Sequence, residues 1–260
     1  MKSLSKKTVL LTGASGGMGC EFARRLMDEG ARLIITDVDE EKPDELKREC
    51  SASSRGPGEV LAAFGSDIST AKGCRKVYEN TMAAADDVDL LINNAGLINY
   101  GYFWEIPEAE SERLLQVNLM APVRLSRLFL PGMVERGSGH IVFMCSVAGF
   151  AATSLGTPYV TSKFGIRGFA MALSGEMKDK ELDVTIVYPS WVRTGMLESP
   201  EYGSAKVESL SSRLVEDPAK VVKEAIKGIR KNKLHVCPGI FAKLVWHGAK
   251  AWPIVSRQSH

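Results

Sequence analysis

Cysteine is scarce in this 260-residue sequence, and what there is stands unpaired: Cys20, Cys50, Cys74, Cys145 and Cys237 form no CxxC pair and are odd in number. That speaks against a disulfide framework and fits a reducing compartment. Histidine is scarcer still, and His140, His235, His247 and His260 lack metal-ligand spacing, so no metal site is expected. Charge of one sign is missing as well. The formal balance is +2, which gives no reason to expect a nucleic-acid partner. Residues 1–7 run straight into a strand-like segment with no apolar leader region, and a cytoplasmic location is expected. Long apolar runs are absent too. His140–Ser162 carries no Asp, Glu, Lys or Arg, but Gly149, Gly156 and Pro158 break it, so it reads as a buried strand and a loop rather than a membrane span. Neither an internal repeat nor a long linker divides the chain, and residues 1–260 are expected to form one domain.

Against these absences stands an ordinary globular balance, with apolar residues at 45% and charged residues at 25%. Short apolar runs mark strands at Thr8–Leu11, Arg32–Thr36, Val60–Phe64, Leu90–Ile92, Ile141–Met144, Val184–Val187 and Leu234–Val236. Several are continuously apolar rather than alternating, as strands covered on both faces are. Between them lie helical patterns. The first carries Met18, Phe22 and Leu26 at intervals of four, with Gly30 as its C-terminal cap. Others cover Ala71–Ala85, Pro107–Glu135, Pro158–Lys178 and Pro218–Arg230. This alternation predicts a doubly wound α/β architecture of the Rossmann type, a parallel sheet of about seven strands with helices on both faces.

Three connecting segments carry open readings. Ser51–Gly58 reads as a surface turn. Gly195–Ser212, long and polar, reads as a substrate lid or as a surface insertion. The tail 238–260 mixes Phe241, Leu244, Val245, Trp246, Trp252 and Ile254 with Lys243 and Lys250. It fits a membrane surface, a cap on a cleft or a subunit contact.

The chemistry begins where the first strand ends. Thr12-Gly13-Ala14-Ser15-Gly16-Gly17-Met18-Gly19 leads directly into a helix, and such a turn lets backbone N–H groups and a helix N-terminus face a pyrophosphate. The second run ends at Asp37, an acid placed to accept hydrogen bonds from ribose hydroxyls and to repel a 2′-phosphate, which favours NAD over NADP. The competing reading makes Asp37 a plain turn residue. Tyr159 and Lys163 stand four apart at the start of a helical pattern and so share one face. A nearby ammonium favours phenolate, so the Tyr159 pKa is expected to fall, and a phenol nearer neutrality can exchange a proton with a substrate oxygen.

Taken together, the motifs resemble the short-chain dehydrogenase/reductase family over nearly the whole chain, from Thr8 to about Val236. The resemblance rests on Thr12-Gly13, Gly17 and Gly19, on Asp67-Ile68, on Asn93-Asn94-Ala95-Gly96, and on Asn118, Ser146, Tyr159 and Lys163. It rests also on Pro189 to Thr194 (Pro-Ser-Trp-Val-Arg-Thr). It implies Tyr159 as general acid/base and Lys163 as the group that depresses its pKa and holds the nicotinamide ribose. Ser146 would hydrogen-bond the substrate oxygen, and Asn118 would support a proton relay behind Lys163. Gly13, Ser15, Gly17, Met18, Gly19, Asp37, Asp67, Ile68, Asn94, Ala95, Gly96, Pro189, Val192 and Thr194, with Tyr159 and Lys163, would hold the cofactor. A dimer or tetramer through the helical patterns at 107–135 and 158–178 is implied as well.

Two positions depart from or refine that pattern. Ser190 stands where family members usually have Gly, and Gly16 stands where NADP-using relatives often carry a basic residue. Cys145 alternates with Ser146 on a strand and reads as core. No GxSxG surrounds Ser146, which argues against a hydrolase triad. Leu97–Trp104 reads as a pocket lining or a subunit contact. The expectation is an NAD(H)-dependent oxidoreductase acting on a hydrophobic secondary alcohol or ketone. The alternative is an NAD(H)-binding sensor without turnover, and an epimerase or dehydratase on the same fold is a third reading.

Overall fold

All seven apolar runs become strands of one parallel sheet in the computed structural model, which describes residues 2–204 and 215–251, the side chains of 249–251 excepted. In chain order the strands are β1 (Thr8–Thr12), β2 (Arg32–Asp37), β3 (Glu59–Gly65), β4 (Leu90–Asn93), β5 (Tyr100–Gly101), β6 (Gly139–Met144), β7 (Leu182–Val187), β8 (Glu201–Tyr202) and β9 (His235–Val236). The helices are α1 (Gly17–Asp28), α2 (Lys42–Ser53), α3 (Ala71–Ala84), α4 (Glu108–Leu115), α5 (Ala121–Arg136), α6 (Thr157–Met177), α7 (Pro218–Ile229) and α8 (Gly239–Ala251). The main sheet runs β3-β2-β1-β4-β6-β7-β9, while β5 and β8 form a separate parallel pair. The strand order reverses between β1 and β4, which opens a crevice at their carboxyl ends.

Side-chain alternation explains why both faces are dry. Val9, Leu11, Leu33, Ile35 and Ile92 point toward α1 and α7, where Phe22, Leu26 and Ile226 meet them. Leu10, Ile34, Leu91 and Phe143 point the other way, toward Val77, Leu125, Phe129 and Ile166. Each strand therefore carries apolar residues without interruption, because each face has its own layer of helices.

Several elements differ from the sequence expectation. α2 was not foreseen, since only Pro43, Leu46 and Cys50 are buried on it, and it takes in the first three residues of the expected Ser51–Gly58 turn. The long helix over 107–135 is interrupted by a π-helical turn at Gln116–Met120, between α4 and α5. The tail forms α8, a helix not among those expected, and its expected contributors Trp252 and Ile254 lie outside the described residues. The Gly195–Ser212 segment begins as a short 3₁₀ turn, Gly195–Glu198, and continues as β8. Its residues 205–212 lie outside the description. Glu105 holds the near end of that segment, accepting from the Ser204 N–H at 2.9 Å and from the Ser204 hydroxyl at 2.9 Å.

At the carboxyl ends of β1 and β4, one cluster of hydrogen bonds extends the ladder that joins the two halves of the sheet. The Thr12 hydroxyl accepts from the Asn94 N–H at 3.1 Å and the Ala95 N–H at 3.2 Å. In return the Asn94 side-chain amide donates to the carbonyls of Thr12 at 3.1 Å and Gly13 at 2.9 Å. The chain comes so close here that a Cβ on Gly13, whose φ is +62°, would lie 2.6 Å from the Ala95 Cα.

This lock generates a prediction. Thr12→Val keeps a good strand residue but strands two half-buried N–H donors, so it should cost roughly 2 kcal/mol of stability. Urea denaturation of both proteins checks this, and an unchanged midpoint would show that the hydroxyl is dispensable.

Candidate active site

A cleft of about 600 Å³ opens over the carboxyl ends of β1, β2 and β4. Its floor is the glycine turn. Gly17 must lack a side chain, because a Cβ there would lie 2.7 Å from Thr194 Cγ2, so the turn and the segment after β7 close against each other. A Cβ at Gly19 would run into the Gly13 carbonyl, which lets α1 begin directly beneath the turn. Asp37, at the end of β2, aims its carboxylate back over this floor. One oxygen accepts from the Ser15 N–H at 2.9 Å and the other from the Val38 N–H at 2.7 Å. The hydroxyls of Ser15 and Thr36 are buried there without a protein partner. A glycine cradle, a fixed carboxylate and two unengaged hydroxyls in one cleft fit an adenine dinucleotide.

Of the expected cofactor residues, Gly13, Ser15, Gly17, Met18, Gly19, Asp37, Asp67, Ile68, Asn94, Ala95, Gly96 and Thr194 line this cleft. Tyr159 and Lys163 do not line it but stand behind Gly96, and Pro189 and Val192 do not line it either. The Pro189 carbonyl accepts from the Val147 N–H at 3.0 Å, and Val192 is buried in a bridge to Glu216. They shape the wall from behind. Ser190 does not line the cleft: its hydroxyl is buried on the Glu216 side without a hydrogen-bond partner among the described residues, and burial raises the pKa of the Glu216 carboxyl.

Asn118, Ser146, Tyr159 and Lys163 converge at the inner end of the cleft, behind Gly96. A Cβ on Gly96 would lie 3.5 Å from Asn118 Oδ1 and 3.8 Å from Lys163 Nζ. Tyr159 and Lys163 share a face of α6, with Nζ 5.4 Å from the phenol ring centroid. Ser146, just past β6, opens a 3₁₀ turn. Its hydroxyl accepts from the Ala148 N–H at 3.1 Å and also hydrogen-bonds the Tyr159 phenol. Asn118 sits in the π-helical turn. Its Oδ1 accepts from the Leu97 N–H at 2.7 Å, and its Nδ2 donates to the Leu97 carbonyl at 2.8 Å and to Ser162 Oγ at 3.2 Å. Ser162 in turn donates to the Tyr159 carbonyl at 2.6 Å. The π-helical turn thus ties the strand-β4 loop to the first turns of α6.

The electrostatics correct one expectation. Burial pushes the Tyr159 phenol above its ordinary pKa, and only the Ser146 hydrogen bond pulls it down appreciably. Lys163 is buried too. Burial lowers its pKa, and its ammonium donates to the Met144 carbonyl at 2.9 Å. The spacing of four residues does bring the two groups together, but desolvation of the phenolate outweighs the charge the sequence led one to count on.

Sequence reasoning missed Ser162, the link between Asn118 and Tyr159, and it missed Val38, Asp39 and Lys42 on the outer wall. Lys42 lies 3.7 Å from Asp39 at the start of the unforeseen α2. Leu97–Trp104 divides. Leu97, Ile98 and Asn99 line the cleft, while Phe103 and Trp104 are exposed and Trp104 stacks on Tyr102 at 4.8 Å. Cys145 is core, as expected, donating to the Lys163 carbonyl.

Comparison with known proteins identifies the family and the fold. The model of the short chain dehydrogenase family matches residues 7–203. A ketoacyl reductase, HetN, of Nostoc is 32% identical, over 90% of this chain and 78% of its own. Epidermal retinol dehydrogenase 2 of Mus musculus is 31% identical, over 90% of this chain and 74% of its own. Among solved structures, a short-chain dehydrogenase from Sphingobium yanoikuyae in complex with NADPH superposes with a TM-score of 0.79 at 26% identity, covering 98% of both chains.

Burial of the phenol is directly testable. Without nucleotide, the tyrosinate absorbance that distinguishes the wild type from Tyr159→Phe should appear only above the ordinary pKa of about 10. A titration centred below that value would mean that the Lys163 charge dominates.

Proposed function

The chain belongs to the short-chain dehydrogenase family, and we propose that it interconverts a hydrophobic secondary alcohol and its ketone with NAD(H). The carrying observation is the convergence of Tyr159, Ser146 and Lys163 at the inner end of the nucleotide cleft. A protein that only senses a nucleotide has no use for that cluster, and this weighs against the non-catalytic alternative.

Members of the family are oxidoreductases that use a nicotinamide cofactor, and the cleft fits one. Gly13, Ser15, Gly17, Met18 and Gly19 would hold its pyrophosphate and Asp37 its adenosine ribose. Asp67 and Ile68 would flank the adenine. Asn94, Ala95, Gly96 and Lys163 would support the second ribose, with Thr194 beside the nicotinamide and Pro189 and Val192 shaping the wall behind it. When bound, that group supplies the hydride acceptor or donor for the carbinol carbon. The chain's own residues manage the oxygen. The Ser146 and Tyr159 hydroxyls hydrogen-bond it, and Tyr159 takes the alcohol proton in oxidation or returns it in reduction. Because burial makes the phenol a weak acid, stabilising its anion falls to Lys163, whose ammonium needs to move only from the Met144 carbonyl. Asn118 braces Leu97 and Ser162 around that ammonium.

The carboxylate of Asp37 over the glycine turn supports NAD, since a 2′-phosphate would bring a second negative charge beside it. Leu97 and Ile98 near the inner end, together with relatives named for ketoacyl and retinol substrates, support an apolar substrate. A second copy would dock on α6, where Phe164 and Met171, one heptad apart, are exposed.

Two experiments test this reading. Tyr159→Phe should lower kcat on a hydrophobic ketone roughly 10²–10⁴-fold while NADH still quenches or enhances fluorescence with a near-normal Kd. Full turnover in that variant would remove Tyr159 as the acid/base. Asp37→Ala should shift the NADH-to-NADPH ratio of Kd values toward NADPH by about tenfold, the scale of one relieved like-charge contact near a surface. An unchanged ratio would place selectivity elsewhere, with Lys42 the next residue to vary.

A further inference from the structure

α8 is apolar on both sides. Its inner side buries Ala242 and packs Trp246 on Phe150 at 5.3 Å between ring centres, with Tyr188 and His235 also in contact. Its outer side presents Ile240 at 77% exposure, Leu244 at 66% and Phe241 at 37%. Lys243 and His247 are exposed on the same helix, so the apolar outer side is a bounded patch rather than the whole circumference. Beside it runs a basic stripe. Residues 218–233 contain Lys220, Lys223, Lys227, Arg230, Lys231 and Lys233 against one acid, Glu224. All six cations are exposed. Spacings of three and four put Lys220, Lys223 and Lys227 on the outer side of α7. The stripe continues into the groove between α1 and α7, where Arg25, Lys223, Lys227, Arg230 and Lys231 outnumber Asp28 and Glu29 and Glu29 meets Arg230 at 3.4 Å.

Glu224 joins the two features. It pairs with Lys243 of α8 at 2.9 Å and accepts from the Gly239 N–H at 3.4 Å, so the apolar helix lies next to the stripe. The sequence from 239 to 260 adds Lys243, Lys250 and Arg257 and holds no acid at all. Among the described residues no helix is long and apolar enough to cross a membrane.

We propose that the α7–α8 face docks on the surface of an anionic lipid bilayer, with Ile240, Phe241 and Leu244 entering the acyl boundary and the lysines of α7 meeting the headgroups. Apolar area and positive charge on adjoining helices match the two components of such a surface. A second copy of this chain, with the same positive stripe, would face like charge. Trp246 and Phe150 connect the docked helix to the turn that carries Ser146. If the substrate is an apolar alcohol, as the functional reading has it, the bilayer that holds the substrate lies behind the substrate end of the cleft. The docking itself stands apart from that reading and is measured without turnover.

The test is sedimentation of the full chain with phosphatidylcholine vesicles, with and without phosphatidylserine, alongside size-exclusion chromatography. Binding should need phosphatidylserine and weaken with salt. The double variant Ile240→Asp, Leu244→Asp should abolish it. The triple variant Lys220→Glu, Lys223→Glu, Lys227→Glu should weaken it at least about tenfold, from about 1 kcal/mol per cation at such a surface. NADH binding should survive in both, showing that they fold. Failure of the wild type to sediment with anionic vesicles overturns the inference, as does sedimentation unaffected by either variant. If the Asp variant instead only splits an oligomer, the face belongs to a second copy and the inference fails.

Discussion

The Thr12 hydroxyl is the contact on which the site depends. It sits at the end of β1 and binds two successive N–H groups of the segment leaving β4. β1 and β4 are the strands at which the sheet reverses its winding; their ladder runs from Val9–Leu90 to Leu11–Ile92, and the Thr12 hydroxyl extends it to the carboxyl ends, where the crevice opens. The near-contact of Gly13 with Ala95 follows from that lock, and so does the place of Gly96. Gly96 in turn is where the nucleotide cleft meets Lys163 and Asn118. A slip at Thr12 would therefore move the cleft floor and the proton-transfer cluster relative to each other.

The cluster itself is governed by desolvation. Tyr159 and Lys163 are brought together by helical spacing, but Lys163 is buried and Tyr159 half-buried, and this loss of water disfavours the charged form of each. The ammonium settles on the Met144 carbonyl, a neutral acceptor. This leaves the phenol protonated and hydrogen-bonded to Ser146, a resting state suited to donating a proton to a developing alkoxide. The π-helical turn at Gln116–Met120 turns Asn118 inward against Leu97 and Ser162. Such a widened turn costs regular helix geometry, and here it links three segments that are far apart in the chain.

The outer edge of the sheet has a different logic. β9 is only two residues long, and α8 packs beside it through Trp246 and His235, which would blunt an otherwise open edge. That position leaves the apolar outer side of α8 next to the lysines of α7, and the Glu224–Lys243 pair registers one helix on the other. Edge protection and surface recognition thus fall to the same thirteen-residue helix.

The sequence by itself determined the layers and their order. Continuous apolar strands such as Thr8–Leu11 and Arg32–Thr36 can be buried only between two sheets of helices, and glycine at 13, 17 and 19 marks a turn that no side chain could occupy. It also determined which residues meet along one helix, as with Tyr159 and Lys163, because i and i+4 share a face whatever the fold. Tertiary structure decided what depends on distant segments. The two-residue strands β5 and β8 are too short to carry a period, and α2 buries too few apolar residues to announce itself. The fate of Ser190 against Glu216, the bracing by Ser162 and the rise rather than fall of the Tyr159 pKa all depend on what surrounds a group in space. Periodicity is a local property written in adjacent residues, whereas burial and its electrostatic consequences belong to the whole packed molecule.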